Sequence, residues 1–221
     1  MTSPLAPEPK PRSTSPPEGA APLRRLRLAE LPTETVALAR FLLGTMLVSD
    51  APNGRAAVRI VETEAYLPDD AAAHSYRGET ARNRSLFLRR GHAYVYFIYG
   101  MYFCMNVSSE RVGIGAGVLI RAGEPTYGAE LMQRRRPRAR PDDLCRGPGK
   151  LATALAISRL HDGLDLTAEG PLWLAAARGA AGEIATSARI GITKEADRSL
   201  RFLERDSPFA SGPKPPNAAR P

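Results

Sequence analysis

Two carboxylates, Glu62 and Glu64, stand two residues apart in the stretch V-E-T-E-A-Y, and Tyr66 follows at the same interval. On an extended strand this spacing places Ile60, Glu62, Glu64 and Tyr66 on one face, with the two acids about 7 Å apart. Acids are depleted from strands, so a pair beside an aromatic reads as a strand emerging from the core into a cleft. A carboxylate there serves as a general base, or as the negative charge that steadies a developing cation. The plainer alternative is a strand end whose glutamates face water or pair with nearby arginines, and this is the commoner outcome for such residues. His74, the first of three histidines, follows after a Pro-Asp-Asp loop.

A second group is aromatic. Tyr94, Tyr96, Tyr99 and Tyr102 are four of the chain's seven tyrosines, all within Ala93 to Val107, where β-formers run to a Tyr99-Gly100 break and resume. Glycine supplies the positive φ of a tight turn and aromatics favour pleated strands, which predicts a β-hairpin. Alternation sends Tyr94, Tyr96 and Ile98 to one face and leaves Tyr99 at or beside the tip.

The third group is basic. The net charge is +8; the N-terminal tail contributes zero and residues 207–221 contribute +2, so +6 belongs to the folded part. Much of it lies in Arg77, Arg82, Arg84, Arg89 and Arg90 before the hairpin and in Arg134, Arg135, Arg136, Arg138, Arg140 and Arg146 after it. Guanidinium groups fork onto phosphate oxygens, and clusters flanking an exposed aromatic favour a nucleic-acid partner. Gly147-Pro148-Gly149-Lys150 opens a further helix whose free N–H groups and lysine suit a backbone phosphate. It is no P-loop, because Leu144 replaces the first glycine and Leu151 the magnesium-binding hydroxyl.

The elements that must position these groups follow from the same text. Residues 1–22 are rich in Pro, Ser and Ala and cannot offset their ordering entropy, so they read as a disordered tail, as do residues 210–221. Between them, residues 23–209 form one domain. Pro32-Thr33-Glu34-Thr35 opens a helix that Gly44 stops. Strands are expected at 46–49, 56–65, 118–121, 172–175, 189–192 and 200–203, with a loop at Gly123-Glu124-Pro125 and helices over 126–136 and up to Ile157. No apolar run approaches the ~20 residues of a membrane span, and the start lacks a secretory core. Cys104 and Cys145, the only cysteines, indicate neither a disulfide framework nor a thiolate zinc site. These features point to a cytoplasmic protein, nucleoid-associated if bacterial.

Taken in order, V-E-T-E-A-Y (61–66), A-A-H-S (72–75), R-N-R (82–84), Y-V-Y-F-I-Y-G-M-Y-F-C-M-N-V-S (94–108), V-L-I-R-A-G-E-P (118–125) and G-P-G-K-L (147–151) resemble the alkyladenine (3-methyladenine) DNA glycosylases over residues 24–210. The resemblance implies an α+β domain: a curved antiparallel sheet, surrounding helices, a protruding β-hairpin, a basic DNA-binding face, and no cofactor or metal. By the same resemblance Glu64 is the catalytic acid that orients and deprotonates water, and Arg121 lies near that water. Tyr66, His74 and Tyr96 hold the extruded base, Asn106 excludes guanine by crowding its amino group, and Tyr99 is the minor-groove wedge. Arg82, Arg84 and Lys150 are the expected backbone contacts of a monomer on double-stranded DNA. The loop between Tyr66 and His74 is slightly shorter than in some members. Two rivals remain at this point. A binding module would use the same basic and aromatic surface, but an acidic pair in its cleft would repel phosphate. A zinc deaminase needs H-x-E and C-x-x-C, which the chain lacks.

Overall fold

The computed structural model describes residues 22–177, 179 and 181–212. Helix α1 spans Thr35–Leu42, and Glu34 itself caps it: the Glu34 carboxylate accepts the N–H groups of Val36 and Ala37, donors that a helix start otherwise leaves open. Leu38, Ala39 and Leu42 turn inward, and Gly44 ends the run with φ 81°. Strands β1 (Met46–Ala51) and β2 (Gly54–Tyr66) then pair as an antiparallel hairpin from Ala51↔Gly54 to Met46↔Arg59.

Strands β3 (Ala93–Ile98) and β4 (Tyr102–Ser108) form the expected aromatic hairpin, in register from Ala93↔Val107 to Ile98↔Tyr102. Its tip is closed by Met101 N–H donating to the Ile98 carbonyl at 3.2 Å. Both central residues are left-handed, Tyr99 at φ 52° and Gly100 at φ 67°, the twist that matches a hairpin's own. After β5 (Gly117–Tyr127) come α2 (Ala129–Arg135), α3 (Pro148–Ala154) and the short strands β6 (Leu172–Ala175), β7 (Ile184–Ser187) and β8 (Arg201–Glu204).

The strands make one curved antiparallel sheet in the order β3-β4-β5-β2-β1-β6, with β8 beside β2 and β7 beside β8. Strand β2 is its axis. It borders β5 along one side, while β1 and then β8 share the other, β8 taking over at Glu62–Glu64. The main core lies between the sheet and the helices, with Leu38, Leu42, Val58, Ile60, Ala65, Val118, Ile120 and Leu151 buried together. Each of the leucine, isoleucine and valine side chains among them contributes about 1.5–3 kcal/mol on burial.

Register shifts interrupt the β2–β5 ladder between Ile60 and Glu62 and again between Glu62 and Thr63. A bulge reverses which side chains face which side of a sheet. Ile60 therefore joins Val58 and Ala65 in the core, while Glu62 and Glu64 turn to the opposite face and meet Arg121. The expectation that Ile60 shares the acids' face is corrected by this bulge. The predicted loop at Gly123-Glu124-Pro125 is strand, part of β5. Gly123 is needed there because a Cβ would stand 2.7 Å from the Val58 side chain. Residues 189–192 are not a strand, and β7 forms instead at 184–187. The N-terminal tail lies outside the described residues except for Pro22. At the other end Ala210 and Ser211, assigned by sequence to a disordered tail, are buried. Ser211 donates to Glu62 through both its backbone N–H and its hydroxyl, and this bonding draws the C-terminal segment onto the sheet. No described helix is long and apolar enough to cross a membrane.

Candidate active site

A cavity of about 340 Å³ opens between the aromatic hairpin, the loop after β2, the start of α3 and the segment 190–192. Tyr66, His74, Tyr96, Tyr99, Asn106 and Arg121 all line it. Six of the residues singled out in sequence, spread over more than fifty positions, thus meet at one place.

Its wall is an aromatic cluster. Tyr94, Tyr96 and Ile98 project to the same side of β3, as alternation requires, and Tyr94 and Tyr96 stack with ring centroids 5.4 Å apart. The His74 ring meets Tyr96 edge-on at 4.5 Å, and its Nδ1 shares a hydrogen bond of 2.9 Å with the Tyr94 hydroxyl. The loop bearing His74 is held by Asn83, whose amide donates to the His74 carbonyl at 2.8 Å and to Gly78. Partial burial lowers the His74 pKa, and the Arg82 charge lowers it further, so the imidazole is neutral near pH 7. Burial pushes the Tyr94 phenol up to about 12 and raises Tyr96 as well, keeping both hydroxyls protonated. Asn106 is buried on β4 opposite Tyr94.

Glu64 is fully buried under the floor, and the groups that hold it line the cavity. Its Oε1 accepts the Ile190 backbone N–H at 2.7 Å. Its Oε2 accepts the Tyr66 hydroxyl at 3.0 Å and Arg121 Nη1 at 3.2 Å. Burial raises the Glu64 pKa, opposed by Arg121, the Ile190 N–H and Tyr66 and reinforced by Glu62. A carboxylate offers about four lone-pair sites; three are taken here, two on Oε2 and one on Oε1.

The hairpin tip beside the cavity is apolar and exposed. Tyr99 is 81% and Met101 64% accessible, and Phe97 is exposed too. The two basic clusters divide by role. Arg89 pairs with Asp165, Arg90 holds the carbonyls of Leu31 and Leu28, and Arg136 holds those of Asp143 and Leu144. Arg82 and Arg84 are exposed near the His74 loop, and Arg134 and Arg138 are exposed on and just after α2. Lys150, in the first turn of α3, is paired with Asp143 at 2.6 Å. Among the described residues no group of three or more His, Cys, Asp or Glu could hold a metal.

Sequence reasoning misses three contributors. Tyr94 reads there only as a strand residue, though its period-two phase with Tyr96 is visible. Ile190 contributes a backbone N–H, which leaves no signature in residue type. Arg189 packs behind Tyr66, yet its surroundings in sequence read as a strand.

Comparisons with known proteins identify a family. The family model of the methylpurine-DNA glycosylases matches residues 29–208. A Mesorhizobium japonicum protein assigned as a 3-methyladenine DNA glycosylase is 60% identical over 186 residues, covering 84% of this chain and 89% of its own length. The Homo sapiens DNA-3-methyladenine glycosylase is 44% identical over 206 residues, covering 86% of this chain and 68% of the human protein. The chain belongs to the methylpurine-DNA glycosylase family, the DNA-repair hydrolases that act on N-glycosyl bonds.

Proposed function

We propose that this protein flips alkylated or deaminated purines out of duplex DNA and hydrolyses their N-glycosidic bond with a water activated by Glu64, leaving an abasic site. The observation that carries this reading is the binding of Glu64 by three donors that all belong to cavity-lining residues. A nucleotide must leave the stack for its C1′–N bond to be reached, at a cost of a few kcal/mol that is smallest for damaged pairs. Tyr99, held in a left-handed turn and 81% exposed, lowers that cost by filling the vacated space from the minor groove.

The extruded base lies against Tyr66, Tyr96 and His74. The last of these presents a neutral imidazole, and Asn106 excludes guanine by crowding its amino group. Bond cleavage leaves an oxocarbenium-like sugar, which the Glu64 carboxylate stabilises while it takes a proton from water. Arg121, bonded to both Glu62 and Glu64, keeps that carboxylate oriented. The exposed Arg82 and Arg84 supply backbone charge. Lys150 reaches a phosphate by leaving Asp143. The chain has only four lysines, Lys10, Lys150, Lys194 and Lys214, and no described one lines the cavity. Strand cutting through a lysine Schiff base is therefore not part of the reading.

The test is release of free base from duplexes carrying a single hypoxanthine, ethenoadenine or 7-methylguanine. Excision by the wild type, with binding but no excision by Glu64→Gln, is the expected result. Duplex binding without excision of any of these bases by the wild type would reduce the protein to a binding module.

A further inference from the structure

Behind Tyr66 lies a cation that the proposed chemistry leaves unused. The Arg189 guanidinium carbon sits 4.6 Å from the centroid of the Tyr66 ring. Tyr66 lines the cavity and Arg189 does not, so the guanidinium covers the ring face turned away from it. Its side chain is fully buried and paired with the equally buried Asp70. The same guanidinium donates to the Ala65 carbonyl at 3.0 Å, so it is tied to β2 between Glu64 and Tyr66 and cannot swing away. Its Nε–H has no partner. An arginine held this far from water with a donor unmet is costly, and packing alone is met more cheaply by an apolar side chain.

The electrostatic consequence falls on the ring. An aromatic face attracts cations through its quadrupole, and with no charge behind it Tyr66 would favour a cationic N-methylated purine over a neutral base. Here one cation already occupies the rear face. A second on the front face competes for the same ring electrons and is repelled by the first through a region of low dielectric. Asp70 only partly cancels this, because it binds the far nitrogens of the guanidinium while the planar group itself lies over the ring. Burial and Glu64 raise the Tyr66 phenol, and the Arg189 charge opposes them in a smaller measure.

We propose that Arg189 is a specificity-determining residue: from behind Tyr66 it offsets the cavity's attraction for cationic lesions and so widens its range towards neutral ones such as hypoxanthine. The inference rests on the glycosylase reading above. It corrects the simple expectation that every tyrosine of the cavity selects for positive charge, and leaves that role to Tyr96.

The test compares single-turnover excision of cationic 7-methylguanine with that of neutral hypoxanthine by the wild type, by Asp70→Asn and by the double variant Arg189→Gln with Asp70→Asn. Removing both charges is expected to raise the cationic-to-neutral ratio by about tenfold, the scale of one desolvated cation–π contact. Asp70→Asn alone, which leaves the guanidinium unopposed, is expected to move the ratio the other way. Both substrates are cut by the same preparation, so loss of folded protein cancels from the ratio, and a purely structural role for Arg189 would not move it. A ratio within twofold of wild type in either variant overturns the proposal. If the wild type releases neither base, it is the glycosylase reading that has failed.

Discussion

Glu62 and Glu64 leave β2 on the same face, both fully buried and both bonded to Arg121. Glu62 accepts Arg121 Nε at 2.9 Å, Arg201 Nε at 2.8 Å, and both the N–H and the hydroxyl of Ser211. Three of those donors crowd Oε1 and one reaches Oε2, and none of its partners except Arg121 lines the cavity. Glu64 accepts three donors, all from residues of the cavity wall or floor. Burial and charge do not separate the two acids. What separates them is the identity of their neighbours and where those neighbours stand: the donors to Glu64 line the cavity, and those to Glu62, Arg121 apart, do not. Glu62 locks the C-terminal segment to the sheet and fixes Arg121, while Glu64 is held by the cavity's own residues, which is where the proposed reading puts the attacking water.

The comparison breaks most sharply at Glu64. Glu64→Gln keeps the shape of the site and removes the proposed base, so single-turnover excision is expected to fall by about 10³-fold, equivalent to about 4 kcal/mol of barrier, while duplex affinity stays near wild type. Loss of less than tenfold would move the general base elsewhere. Glu62→Gln should behave in the opposite sense. It leaves Arg121 and Arg201 buried without their shared anion, which costs about 3 kcal/mol of stability, measurable as a lowered urea midpoint. Excision per folded molecule should fall much less than in Glu64→Gln. If Glu62→Gln is stable but inactive, the two roles have been exchanged. A smaller effect sharpens the contrast: Tyr66→Phe removes one of the three donors to Glu64 and keeps the stacking ring. A loss of about tenfold in rate is expected, the scale of one hydrogen bond to a charged group, with the acid limb of the pH–rate profile moved to higher pH. An unmoved limb would mean that this hydroxyl does not tune Glu64.

Much of this division is legible in the residues, and the part that is not has physical causes. The aromatic hairpin can be read because Tyr94, Tyr96 and Ile98 alternate cleanly and Gly100 supplies a left-handed position. The bulge after Ile60 cannot, because nothing in the residue types of Arg59-Ile60-Val61-Glu62 marks it and only the pairing with β5 reveals the extra residue. Apart from the family resemblance, Glu62 and Glu64 look equivalent in sequence, since the groups that distinguish them come from far along the chain. Ser211 lies in Pro-rich text that reads as loose, and Ile190 acts through its backbone. Arg189 and Lys150 show the same limit from the side of charge. Counting arginines and lysines locates a basic protein, but the burial of Arg189 against Asp70 and the pairing of Lys150 with Asp143 depend on acids that stand, in sequence, among the loops.

The last contrast is one of pH, and its sign follows from burial. The Glu64 carboxyl is held above its ordinary value of 4.5, chiefly by desolvation, so the folded state binds this proton more tightly than the unfolded chain does. Such a group contributes stability that is fully present below 4.5 and is lost as pH rises through the folded-state value. Glutamine carries no such penalty. Glu64→Gln is therefore expected to gain stability over the wild type as pH rises from about 4 to about 8, even as it loses excision, while Glu62→Gln remains the less stable protein at neutral pH. Urea midpoints of the two variants at both ends of that range measure the difference. A Glu64→Gln midpoint that falls relative to wild type with rising pH would show that Arg121 and the Ile190 N–H outweigh the burial of Glu64, and its ionised form would then be the one that the fold prefers.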